Sequence, residues 1–141
     1  MMMKKAVCIQ AALVCLVLAA CLPGCKKEET LGAVSGKVTF KGQPLTEGVV
    51  MFVNKAKGVH MTAPVDAEGN YKVVMAKGAG LPPGEYQVTV NPPVLDAPMG
   101  AGPVQIPVYP NIPQKYRNAK TSGLTLTVTE EGSTLNIDMQ P

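Results

Sequence analysis

The residues able to do chemistry are few and unevenly placed. Cys8, Cys15, Cys21 and Cys25 are the four cysteines, and His60 is the single histidine of the 141-residue chain. Ser35, Ser122 and Ser133 are expected to be exposed hydroxyl nucleophiles in type, but such a group needs a neighbouring base, and there is no second histidine to supply one. His60 alone reads as a strand surface residue rather than a catalytic base. Asp66, Glu68 and Asn70 in "DAEGN" imitate the start of a calcium loop. The twelfth position of such a loop must hold a bidentate acid, and Lys77 stands there, so the stretch reads as a hairpin turn. "GAGLPPG" is glycine-rich but lacks the Lys-Ser/Thr pair of a phosphate loop. The sequence therefore nominates no catalytic, cofactor-binding or metal-binding residue.

The cysteines suggest a different chemistry. Lys4 and Lys5 precede an uncharged run, Ala6 to Ala20, whose one polar side chain is Gln10. About 20 apolar residues are needed to span a hydrocarbon core, so this run is short. A basic head, a short apolar stretch and small residues at its end form an export-signal pattern. "LAAC", ending at Cys21, resembles the lipobox of bacterial lipoproteins, in which the cysteine is acylated and becomes the first residue after cleavage. A thiolate is a suitable nucleophile for that transfer. "LPGC", ending at Cys25, is the alternative site, disfavoured by Pro23 where an extended small-residue segment must be read. A plain signal peptide or an uncleaved anchor are the remaining readings. On the first reading residues 1–20 are the leader, 21–32 the anchor and tether, and 33–141 the exported domain. Beyond Cys25 there is no cysteine, so the domain has neither a disulfide framework nor a thiolate metal site and depends on its core.

Removal of the leader leaves 121 residues, the size of one ordinary domain. Without Lys4 and Lys5 the formal charge falls from +3 to +1. The lysines are scattered, arginine does not cluster, and aromatic residues for base stacking are scarce, which argues against nucleic acid as a partner.

From Leu31 onward the pattern is that of strands. "AVSGKVTF" sets Val34, Gly36, Val38 and Phe40 against Ser35, Lys37 and Thr39, and "NYKVVMA" puts Tyr71, Val73 and Met75 on one face. "GEYQVTVN" points Tyr86, Val88 and Val90 inward and Glu85, Gln87 and Thr89 outward. "LTLTVTE" and "TLNIDMQ" alternate through Leu124, Leu126, Val128, Leu135, Ile137 and Met139. "GVVMFVN" is apolar on both faces, as in a central strand, whereas "VHMTAPV" carries Pro64 and belongs at an edge. "KGQPL", "DAEGN", "LPPGE" and "EEGS" are turns. The expectation is an all-β, seven-stranded antiparallel sandwich preceded by the signal helix, with Val38, Phe40, Val88, Val90, Leu126, Val128, Leu135 and Ile137 in its core. Residues 92–113 interrupt the rhythm with seven prolines, and a loop of that length inside a compact domain is commonly functional.

"VSGKVTFKGQPLTEGVVMFV", "DAEGNYKV" and "GLPPGEYQVTV" resemble the carboxypeptidase regulatory-like, transthyretin-like β-sandwich domains, and "IPQKYRNAKTSGLTLTVTEEGSTLNIDM" resembles the C-terminal half found in small lipoproteins of this type. The resemblance extends from Val34 to Met139 and implies a fold more than a function. Transthyretin-like hydrolases of a purine-derived ring carry several His and Arg residues and a C-terminal Tyr-Arg-Gly-Ser; this chain has His60 alone and ends "NIDMQP". Related adhesin domains form a Lys–Asn isopeptide bond beside a buried acid. Here Lys37 and Asn136 are out of phase with the core, and Val90 occupies the acid position. The reading that follows is a lipid-anchored envelope protein, non-enzymatic, held to the membrane and acting as a structural or binding module for an envelope protein or glycan. An accessory domain or small enzyme acting on an envelope substrate is the alternative. A carbohydrate-binding module is the third, weakened by the absence of Trp and by only four Tyr and two Phe. The candidate partner surface is an exposed patch at Tyr109 and Tyr116 beside the Pro-rich loop, while "IPQKY" is expected to re-enter the fold with the Tyr116 ring packed against a sheet edge.

Overall fold

The structure, a computed structural model, describes residues 30–94 and 107–141. The expected leader with its signal helix, Cys21, Cys25 and the middle of the Pro-rich segment (residues 95–106) lie outside the described residues. The domain is all-β. Seven of its strands fall within the seven stretches read as strands: β1 (Val34–Phe40), β3 (Val49–Asn54), β4 (Val59–Pro64), β5 (Asn70–Lys72), β8 (Gly84–Asn91), β9 (Leu124–Val128) and β11 (Ile137–Met139). Four two-residue strands add to them, namely β2 (Gln43–Pro44), β6 (Val74–Met75), β7 (Gly78–Ala79) and β10 (Ser133–Thr134), so the described residues form eleven strands rather than seven.

"NYKVVMA" is divided because Val73 changes partners. Its N–H donates to Val34 of β1, while its carbonyl accepts from Gly80 beyond β7. β6 and β7 therefore form a hairpin of their own.

One sheet runs β4-β3-β8-β9 and is antiparallel throughout. β3 is central, with Val50 and Phe52 fully buried and Val49, Met51 and Val53 half-buried on the other face; β4, carrying Pro64, is an edge strand. The second sheet is built around β1, flanked on one side by β2 and β5 and on the other by β10 and β11. Here the antiparallel expectation is corrected: β1 runs parallel to β10 and β11, with Val34 opposite Ser133 and Val38 opposite Ile137. Joining the first and last strands of a chain side by side is a long-range pairing that local alternation does not encode.

The two sheets share one core. Val38, Val88, Val90, Leu126, Val128 and Ile137 are buried as expected, while Phe40 and Leu135 pack against the core only partly covered. Thr89, expected outward, is buried and accepts a hydrogen bond from Asn91 Nδ2 at 2.9 Å on its hydroxyl. Phe52 of one sheet meets Tyr71 of the other at 5.9 Å between ring centroids. Tyr86 is fully buried and its hydroxyl donates to the Pro82 carbonyl at 2.8 Å, a tyrosine corner that fixes the approach to β8.

At the middle of β1 the parallel ladder is interrupted, and side chains complete it. Asn136 Oδ1 accepts from the Lys37 N–H at 3.1 Å, and the Tyr71 hydroxyl donates to the Leu135 carbonyl at 2.6 Å. Tyr71 sits opposite Gly36 on β5, so to reach Leu135 on the far side its side chain must cross β1. A Cβ at Gly36 would overlap the Leu135 carbonyl oxygen and stand 2.8 Å from the Tyr71 hydroxyl. Gly36 holds an apolar-phase position because the tyrosine occupies the space its side chain would need.

Candidate functional site

The domain has two distinct poles, set by strand direction. β1 starts beside Gly32, which exchanges two backbone hydrogen bonds (2.8 and 2.9 Å) with Leu81, just ahead of β8. The N-terminal segment therefore leaves at the pole where β1 and β8 begin. At the other end, the direction a side chain at Gly48 would take is filled within 3.4 Å by Leu45, the Asn91 carbonyl and Ile112. Leu45 follows the β1–β2 turn, Asn91 ends β8, and Ile112 lies on the return from the Pro-rich segment. Both ends of that segment are thus at the pole where β1 and β8 finish. With seven and eight residues in these strands at about 3.3 Å each, the poles stand roughly 20–25 Å apart.

The return path is firmly held. Ile112 is fully buried, and a short 3-10 helix, Gln114–Arg117, follows Pro113. Tyr116 is only 8% exposed, which fits the expected re-entry of "IPQKY" and not the expected exposed patch; its ring lies 4.9 Å from the Lys115 ammonium and its hydroxyl accepts from the Gln140 N–H at 3.1 Å. Tyr109 is half-buried against the core. The aromatic surface is therefore corrected inward: these two rings close the end of the core. Arg117 does the fixing, donating from Nε and Nη2 to the Ile112 carbonyl at 2.9 and 2.6 Å and from Nη2 to the Tyr109 carbonyl at 2.9 Å. Sequence offered one signal for this, the arginine that ends "QKYR", four residues after Pro113.

What this pole exposes is aliphatic. Val94 and Val108, on the two ends of the segment, are 83% and 88% exposed. The same pole carries a shallow cleft of about 290 Å³ lined by Phe40, Lys41, Gln43, Pro44, Leu45 and Asn111. Its rim is the two-residue turn Lys41-Gly42, both with positive φ (51° and 76°), as a tight hairpin requires. The Lys41 ammonium lies 5.4 Å from the centre of the Phe40 ring.

Asp138, adjoining this turn, accepts from the Thr39 hydroxyl at 2.8 Å, and that bond chiefly holds its carboxyl below the usual range. Asp66 in "DAEGN" is likewise lowered, first by the Asn70 N–H at 2.7 Å, and its Oδ1 also accepts from the Glu68 N–H. These carboxylates cap backbone, as the turn reading of "DAEGN" expected. The serines are engaged similarly: Ser122, expected on the surface, is buried with its hydroxyl donating to the Val88 carbonyl, and Ser133 donates to Thr127. His60 is exposed on β4, the edge strand, and Lys37 and Asn136 face solvent, as their phase required. Among the described residues no group of three or more His, Cys, Asp or Glu could hold a metal ion, and no helix is long and apolar enough to cross a membrane. The chain matches no family model and no curated protein.

Proposed function

We propose that this chain is a lipid-anchored, non-enzymatic protein of the bacterial cell envelope, a transthyretin-like β-sandwich that carries a binding surface away from the membrane. The observation that carries the reading is the opposition of the two poles. The N-terminal segment, which holds the "LAAC" pattern, departs at one pole, and the Pro-rich segment departs and returns at the other. A domain tethered at Cys21, or at Cys25, would present the Pro-rich segment, Val94 and Val108 outward, to a protein or glycan of the envelope. Ile112, Tyr116 and Arg117 would keep that surface independent of core stability by anchoring the return. The sandwich reading is supported by two sheets sharing a core.

The test is affinity capture of the full chain from native envelope, with and without residues Leu95 to Gly102. The deletion is expected to leave thermal melting nearly unchanged and to remove the captured partner. Unfolding on deletion, or capture that survives it, would refute the assignment of the surface.

A further inference from the structure

Among the described residues, the large apolar side chains left exposed are Val74, Val94 and Val108. Two of them flank the Pro-rich segment. Val74 stands at the opposite pole, on the β6–β7 hairpin, and is 60% exposed. That hairpin belongs to neither main sheet. Its tip is "VMAKGA", in which Ala76, Lys77 and Ala79 are exposed and Met75 is half-buried. It lies where the chain leaves the domain: a Cβ at Gly78 would be 3.7 Å from Leu31, and Gly80 donates to Val73 one residue before Leu81 pairs with Gly32.

We infer that the β6–β7 hairpin is a second membrane contact, with Val74 and the alanines touching the lipid surface and Lys77 meeting anionic headgroups. This rests on the lipid-anchored reading above. From an acylated Cys21 to Leu31 is ten residues, so the hairpin pole is held within roughly 35 Å of the bilayer even if the tether is fully stretched. A tether that short gives the hairpin a high effective concentration at the lipid surface, where weak apolar and electrostatic attraction suffice. A single cation beside exposed aliphatic groups is complementary to an anionic interface. The Glu130–Glu131 turn follows β9 at the same pole and is exposed, so lipid contact falls to the hairpin rather than to that turn.

The chain contains no tryptophan, which gives a clean probe. Val74→Trp is introduced into the full chain, which is made in the envelope, purified and reconstituted into vesicles of phosphatidylethanolamine and phosphatidylglycerol with brominated acyl chains. Gln43→Trp, at the far pole, carries the same residue and reports any affinity that is tryptophan's own. The expected result is a blue shift and loss of emission for Trp at position 74, with water-like, unquenched emission at position 43. Adding Lys77→Glu weakens the quenching at position 74, and unchanged quenching would overturn the role given to Lys77. Flotation and intact mass separate the two readings. If the chain floats and carries acyl groups while emission from position 74 stays water-like, the hairpin inference is wrong and the anchor stands. If no acyl group is found and the chain stays in the aqueous fraction, the anchor fails and the hairpin inference falls with it.

Discussion

Removing one oxygen atom from Tyr71 tests how the interrupted β1 ladder is repaired. The ring is buried between the sheets and its hydroxyl donates to the Leu135 carbonyl at 2.6 Å across Gly36. Tyr71→Phe keeps the ring and its contact with Phe52 but leaves that carbonyl without the donor, a loss of about 1–3 kcal/mol. Gly36→Ala should cost as much or more, because the new methyl group overlaps the carbonyl and stands 2.8 Å from the hydroxyl. The two changes share one contact, so their costs should not add. Alkaline pH gives an independent readout. Burial raises Tyr71 above the ordinary tyrosine range, so the folded state holds this proton more tightly than the unfolded chain. The contribution is fully present below the ordinary pKa of about 10. It is lost as pH rises from there towards the folded value, by at most about 1.4 kcal/mol per pH unit. Urea unfolding at neutral pH and at steps above pH 10 measures both effects. Wild type should lose stability more steeply than Tyr71→Phe in the alkaline range. Parallel pH profiles, or additive costs for Gly36→Ala and Tyr71→Phe, would refute the reasoning.

Val88→Ala should cost on the order of 2 kcal/mol, because Val88 is fully buried in the central region of the larger antiparallel sheet; an unchanged urea midpoint would contradict that placement. Arg117→Ala should lower the melting temperature by freeing the Ile112 and Tyr109 carbonyls, at about 1–3 kcal/mol, and Arg117→Lys should restore little of it because one ammonium cannot reproduce the forked contact. Full rescue by Lys would show that charge alone matters. Gln87→Leu should be neutral or stabilising by about 1 kcal/mol, since Gln87 Oε1 is buried without a hydrogen-bond partner; a clear loss in calorimetry would show that the amide has a role.

Much of the fold was legible because period-two alternation reports which side of a strand is dry. It placed β1, β8, β9 and β11, while a run apolar on both faces marked β3 as central and Pro64 marked β4 as an edge strand. It did not reach the parallel pairing of β1 with β11, since nothing local in "VSGKVTF" or "NIDMQ" says that these two strands meet. The position of Gly36 in the apolar phase of β1, with Tyr71 in the apolar phase of its partner strand, was visible, but their crossing required the register. Thr89 and Ser122 were misplaced because a strand's outer face stops being solvent where β8 runs past the start of β9, and there the 3-10 helix Gln114–Arg117 packs against β8 and Ser122 bonds to Val88. The exposure of the two tyrosines was misread for a related reason. Tyr109 and Tyr116 are the aromatic residues of the Pro-rich return, and in a chain with six Phe and Tyr the core claims them first. The exposed groups there are the two valines, which no sequence pattern distinguishes from buried ones.

On the proposed function, a lipid on Cys21 would hold this domain by one pole. The direct measurement is the intact mass of the protein recovered from the membrane fraction, for wild type, Cys21→Ser and Cys25→Ser. The account predicts a wild-type chain beginning at Cys21 and bearing acyl groups, the same product for Cys25→Ser, and unprocessed or soluble, unacylated protein for Cys21→Ser. Acylation that survives in Cys21→Ser and disappears in Cys25→Ser would move the anchor to "LPGC". A wild-type mass without acyl groups would contradict the account.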